Sequence, residues 1–257
     1  MLIGLTTGPG ATPEQAAAKV KELGLDRPFI TQYVSWMGDF VTGNWGTTWQ
    51  TNQSISAEIK RAMPTSLYLM IYGQFVALGL AIPTAVWSAY RQNTRFDRMA
   101  STSAFGMLSL PNFIVAPLLV LIFSVTWNIF PFPSIYRSLW DSPIEHFKAF
   151  ALPSFTIAIP LYAGYMRLLR ADMIASLQSD FITTARAKGV STPSLLFVHG
   201  LRPSLFSLVT SAAVNIGALM GGVVIVEQFF LLNGMGRLTV ESIFRREYPT
   251  VQYAVVL

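Results

Sequence analysis

Side chains able to make or break bonds are few in this sequence and poorly placed for it. His146 and His199 are the only histidines, they lie far apart in the chain, and there is no cysteine. A zinc protease needs H-E-x-x-H on one helix face, a serine hydrolase needs G-x-S-x-G, and a P-loop needs G-x-x-x-x-G-K-[ST]. None of the three occurs. His146 reads as a loop residue at the outer surface. The chain is therefore expected to be no enzyme and to bind no cofactor or metal of its own.

The stretch richest in local signals is 167–204, and what it suits is mechanical. Asp180 can cap a short helix over 181–188, which Gly189 can end in the left-handed conformation. Ser191 or Thr192 then caps a second helix with Pro193 at its first position, and Leu195, Leu196 and Val198 supply its apolar face. Helix, glycine turn, helix makes a stiff protrusion. The small residues Thr183, Thr184, Ala185 and Ala187 let a partner backbone approach closely. The alternative reading of the same residues is an ordinary loop lying on lipid headgroups.

The elements that must position this loop are dictated by composition. Of 257 residues, 52% are hydrophobic and 12% charged, with mean hydropathy +0.47. Soluble domains carry about 25% charged residues. The difference excludes a disordered chain, a disulfide-stapled module and most cytosolic enzymes. Apolar runs lie at 66–90, 101–130, 150–166 and 205–226, and a membrane crossing takes about 20 such residues. The predicted fold is all-α, a polytopic membrane helical bundle with four full spans. Residues 1–65 form an outer helical segment and 66–257 the membrane domain. In the outer segment, Thr12, Pro13 and Gln15 open one helix that Gly24 closes. Ile30, Tyr33, Val34 and Met37 mark an amphipathic helix over 27–40. Trp45 and Trp49 suit an interfacial loop.

Charge sets the orientation. The loops 91–100 and 167–204 hold Arg91, Arg95, Arg98, Arg167, Arg170, Arg186, Lys188 and Arg202 against Asp97, Asp172 and Asp180. That set carries the whole net charge of +5; the remaining loops balance. Positive loops face the cytoplasm, so 167–204 is an inner loop. A nucleic-acid footprint would need a basic stripe with stacking aromatics on a soluble surface, and here the aromatics lie in the spans.

The four runs contain no ionisable side chain, whereas pumps place such groups at membrane depth. Energy for any transport should enter from a partner. Driving a two-state element from 1:99 to 99:1 takes roughly 5.5 kcal/mol of differential binding. Pro83, Pro111, Pro117, Pro153 and Pro160 fit a moving path or simple kinks. Gly217, Gly221 and Gly222 with Ala212, Ala213 and Ala218 make a small-residue face for close helix packing, against a partner or along the path.

The inner loop resembles the "EAA" loop of binding-protein-dependent ABC importer permeases, E-A-A-x3-G-x9-I-x-L-P. The pattern falls on Thr183, Thr184, Ala185 and Gly189, then His199, Leu201 and Arg202, so the Glu, first Ala, Ile and Pro are replaced. T-A-R-A-K-G at 184–189 followed by H-x-L-R at 199–202 is similar to the form in dipeptide and oligopeptide "B" subunits. Other stretches agree: Ala11 to Gln15, Gly24 to Pro28 with Gln32-Tyr33, Leu108 to Phe113, Glu227, Asn233 to Arg237, and Glu247 to Pro249 with Val251-Gln252. The resemblance implies six spans, of which the first and last are largely missing here.

It further implies a permease subunit of a di- or oligopeptide importer in the prokaryotic inner (cytoplasmic) membrane. Its partners would be a second homologous permease subunit, two cytoplasmic ABC ATPase domains holding ATP and Mg, and an external substrate-binding protein contacting 237–248. Asp180, Thr183, Thr184, Ala185, Arg186, Ala187, Lys188 and Gly189 would couple to the ATPase. A nickel, glutathione or haem importer permease is the alternative within the class. A membrane channel or scaffold without an ATPase partner is the alternative outside it.

Overall fold

The computed structural model describes residues 26–134, 136 and 138–256, with 14, 17 and 21 before them. Of the helix expected from Thr12 to Gly24 only residues 14, 17 and 21 are in this set, and each is helical. The described residues are helical, with one isolated bridge between Thr47 and Ser54. The chain divides into two compact units, 1–65 with 237–257, and 66–236.

In the first unit α1 (Phe29–Thr42) starts after Pro28 and ends at Gly43, whose φ is +77°. The predicted apolar stripe is present but bare: Ile30, Tyr33 and Val34 are exposed. The packed side of α1 is instead Trp36 and Phe40, whose rings meet Tyr253 of α11 (Tyr248–Val256) at 5.7 and 6.2 Å. Met37, the last residue of the predicted stripe, is half-buried beside them. The tryptophan loop is held by Glu247, whose carboxylate accepts from the backbone N–H of Trp49 and Gln50, both at 2.7 Å.

The second unit contains the apolar spans. Helix α2 (Ile55–Tyr90) contains the run 66–90 and continues well beyond it. At 1.5 Å per residue its length exceeds the roughly 30 Å hydrocarbon layer. Helix α5 (Pro143–Leu177) does the same for 150–166, passing unbroken through Pro153 and Pro160. The fourth apolar helix runs from Thr192 to Met220 rather than from 205. It begins as α7 (Thr192–Ser194), passes through a π-helical turn (Leu195–Gly200) and becomes α8 (Leu201–Gly222). A short α9 (Val224–Phe230) follows, and α10 (Met235–Phe244) comes before α11.

The second expected span, 101–130, is not one straight helix. Helix α3 (Arg95–Leu108) and helix α4 (Asn112–Leu119), prolonged by a π-helical turn to Thr126, meet at 107°. Among the described residues three helices are thus long and apolar enough to cross a membrane, or four if the bent pair is one span. Pro111 explains the break. It has no N–H to donate, and its ring drives Leu110 out of the helical region. The last turn of α3 tightens first, with Ser109 and Leu110 donating three residues back to Gly106 and Met107.

Alanines let the spans approach. Ala77, Ala81, Ala85 and Ala89 recur every fourth residue along α2 and are all buried, against Ala158, Tyr165, Met166 and Leu169 of α5 and Leu208 of α8. A second cluster joins Leu69 of α2, Ala116 of α4, Phe150 and Ile157 of α5 and Val226 and Phe230 of α9. His146 is no surface loop residue. Pro143 starts α5 three residues earlier, and His146 is fully buried among Tyr68, Tyr72, Tyr136 and Phe150, with its Nε2 3.1 Å from the Tyr72 hydroxyl.

Candidate functional site

Helix α6 (Asp180–Ala187) occupies the loop that the spacing singled out. Its cap lies one residue earlier than expected. Ser179 is the N-cap with an extended ψ of 155°, and Asp180 is already helical. The Ser179 hydroxyl is turned back onto the Ser176 carbonyl at 2.5 Å. Asp180 therefore acts through its charge at the positive helix end rather than as a cap. The predicted glycine stop is present: Gly189 has φ +80°. Gly189 N–H donates to Arg186 O and Val190 N–H to Ala185 O, the two reverse bonds of a Schellman ending.

Ile182 anchors this helix, with no exposed surface. On the opposite side Asp180, Thr183, Thr184, Ala187 and Lys188 are exposed, as are Arg186 and Gly189, while Ala185 is half-buried. Residues spaced three and four apart lie on one helical face, so Asp180, Thr183, Thr184 and Ala187 share the accessible side, while Ala185 and Arg186 flank buried Ile182. The second helix is capped at Ser191, one of the two expected caps, and Pro193 stands at its second position rather than its first. Its buried residues are Leu195, Leu196 and Gly200, whereas Val198 is exposed, because the π-helical turn shifts the apolar register.

Only Gln178 and Ser179 separate α6 from α5, and the inner third of α5 is firmly tied to the other spans. Arg170 donates in fork fashion to Asp97 of α3, and from Nε to the Ser88 hydroxyl of α2 at 3.2 Å. The Ser88 hydroxyl itself donates to Asp97, and Asn93 N–H donates to the other carboxylate oxygen at 2.8 Å. Two residues further along α5, Asp172 accepts from the Ser207 hydroxyl of α8. Deeper in the bundle Tyr165 of α5 donates to Gln74 of α2 at 2.9 Å, and Gln74 donates to the Ala212 carbonyl of α8 at 2.8 Å. In a water-free layer polar groups must find such partners. The result is a helix, α5, tied to α2, α3 and α8 by side-chain hydrogen bonds, with α6 at its end.

At the other end of this unit Glu227 is fully buried. It accepts from the Ser66 hydroxyl at 2.5 Å, and that same oxygen accepts from Met235 N–H at 2.8 Å. The loop folds so closely over the carboxylate that a Cβ on Gly234 would stand 2.2 Å from Glu227. Only glycine fits there.

Comparison with known proteins places this architecture. Residues 81–257 match the family described as "Binding-protein-dependent transport system inner membrane component". The chain belongs to this family. It is a multi-pass membrane component of a transport system, and the expected all-α fold holds. The oligopeptide transport system permease protein AppB of Bacillus subtilis is 34% identical over 240 residues, covering 93% of this chain and 76% of the relative. The oligopeptide transport system permease proteins OppB of Mycobacterium bovis and Mycobacterium tuberculosis are each 36% identical over 243 residues, covering 90% of this permease and 74% of theirs.

Sequence reasoning missed the ties that the permease fold makes over long range. Asp97 and Arg170 were visible only as loop charges, 73 positions apart. Gln74, Ser88 and Ser207, polar residues inside uncharged runs, were the signals that a buried network lay there. The small-residue face on α8 is exposed in the single chain at Ala213, Gly217 and Ala218. The tightly packed small residues are instead the α2 alanines.

Proposed function

We propose that this permease forms part of the translocation path of an ATP-driven peptide importer in the cytoplasmic membrane of a prokaryote. It works beside a second, homologous permease subunit, with an external substrate-binding protein delivering di- or oligopeptides. Two cytoplasmic ABC ATPase domains hold ATP and Mg, and this chain hydrolyses nothing and holds no cofactor. The observation that carries the peptide assignment is the oligopeptide transport named for relatives that match 90% and 93% of the chain.

The strip Asp180, Thr183, Thr184, Ala185, Arg186, Ala187, Lys188 and Gly189 is the surface that docks on the ATPase. Three features support this. The strip is exposed, its helix is anchored by buried Ile182, and Gly189 stops it sharply instead of letting it fray. A docked ATPase that closes pushes α6, and α5 passes the displacement to α2, α3 and α8 through Asp97, Ser88 and Ser207.

Gly189→Val tests the coupling. A side chain in the left-handed region costs about 1–2 kcal/mol, so the ending of α6 should rearrange while the spans insert normally. The expected result is normal abundance in the membrane and ATP-driven uptake of labelled oligopeptides reduced about tenfold, since 1.4 kcal/mol is tenfold. Unchanged uptake with unchanged ATPase stimulation would remove the docking role.

A further inference from the structure

We infer that the inner end of the α3–α5 pair is a binding groove for an anionic phospholipid, with its phosphate between Arg98 and Arg167. The groove has a volume of about 870 Å³ and is lined by Arg98, Ser101, Thr102 and Phe105 of α3 with Gly164 and Arg167 of α5. On α3 these residues occur at intervals of three, four and seven, and so share one face. Helix α3 enters the membrane from the inner loop, which puts the cation first, the two hydroxyls next and the aromatic ring deepest. Helix α5 runs the opposite way, so Arg167 lies nearer the inner surface and Gly164 one turn deeper. Both walls grade from cationic to apolar in the same direction.

The charge is left for a ligand. Asp97, the one acid of the lining, is taken by both bonds of Arg170, by Ser88 and by Asn93 N–H. Arg98 reaches only the Asn93 carbonyl, at 3.4 Å, and Arg167 lies 4.0 Å above the Phe105 ring. Neither has a carboxylate partner among the described residues. Guanidinium groups pair with phosphate through forked, charge-assisted hydrogen bonds, and Ser101 and Thr102 add hydroxyl donors. At the deep end the space is open, because a Cβ on Gly164 would meet nothing within 4 Å. That space, with Phe105 and Leu168 beside it, suits an acyl chain. A free anion would use the arginines and leave the apolar end empty, whereas a phospholipid fills both. The inner leaflet is also where anionic headgroups attract basic residues at a membrane surface.

The test is photocrosslinking of the full chain in phosphatidylglycerol and phosphatidylcholine vesicles containing phosphatidylglycerol with a photoreactive acyl chain. Labelled peptides are mapped by mass spectrometry. Label should fall in 98–105 and 164–171, and unlabelled phosphatidylglycerol should compete it where phosphatidylcholine and inorganic phosphate do not. Each arginine near an anionic surface contributes about fivefold, so the pair R98Q and R167Q should lower labelling about thirtyfold. Gly164→Leu keeps both arginines, improves helix propensity and should lower labelling by filling the deep end. Labelling unchanged in either variant overturns the proposal. Equal competition by inorganic phosphate overturns it in favour of a free anion. Crosslinks joining these segments to another polypeptide instead of lipid overturn it in favour of a protein interface.

Discussion

Arg170 donates from Nε and Nη2 to the two carboxylate oxygens of Asp97, at 2.6 and 2.7 Å. The pair fastens the inner third of α5 to the first turn of α3, with the Asp97 side chain 4% and the Arg170 side chain 24% exposed. Planar, two-point contact fixes angle as well as distance, which a single ammonium could not do. It is the firmest tie between the helix that carries α6 and the rest of the bundle.

Breaking it should be costly in a specific way. Arg170→Ala strands a buried carboxylate and should destabilise the protein by about 3 kcal/mol. Arg170→Lys should recover only part of that, since lysine cannot supply the fork. Asp97→Ala combined with Arg170→Ala should lose less than the two single changes added together. Denaturant unfolding in detergent reads all four variants, and strict additivity would show that the pair is not coupled.

Gly234 and Glu227 make a second test. Gly234→Ala places a methyl group where the Glu227 carboxylate now sits, and overpacking of this kind costs about 1–3 kcal/mol. Shortening the acid with Glu227→Asp in the same chain should restore part of the loss. Melting temperatures of the single and double variants measure this. A double variant no better than Gly234→Ala alone would mean that the clash lies elsewhere.

Ile182 anchors α6 by burial alone. Ile182→Ala should cost about 2–4 kcal/mol locally and loosen the helix without disturbing the spans. Hydrogen exchange should quicken across 180–189 and stay unchanged in α2 and α5. Exchange that quickens everywhere would show the inner helix to be part of the global core.

Orientation can be tested cleanly because the chain has no cysteine. Lys188→Cys should react with an impermeant maleimide only from the cytoplasmic side. Trp140→Cys, at a position 88% exposed in the loop before α5, should react only from the opposite side. Reaction of both from one side would contradict the positive-inside assignment.

Much of this was legible in the residues. A charge content half that of a soluble domain points to lipid, where only helices and closed barrels satisfy the backbone, and uncharged runs of about 20 residues select helices. The left-handed stop at Gly189 was legible too, since glycine between a helix and a capped second helix has little else to do. The bend at Pro111 was not. Five prolines lie within the predicted spans, and four of them sit inside continuous helices. Residue type did not distinguish the fifth; the helix end at Ser109 and Leu110 did. His146 was misplaced for a similar reason, because its burial depends on rings contributed by α2 and by the loop before α5.

By itself the sequence determined the membrane habitat, the short helix at 180–187 with its glycine stop and the family likeness, and it supplied the charge bias from which the orientation is expected. Those properties depend on composition and on neighbours within a few residues. Only the tertiary structure decided which charges pair, which alanines pack, where a span breaks and which arginines have no carboxylate partner among the described residues. Such choices are made between residues distant along the chain, where geometry selects one partner from many of equal chemistry.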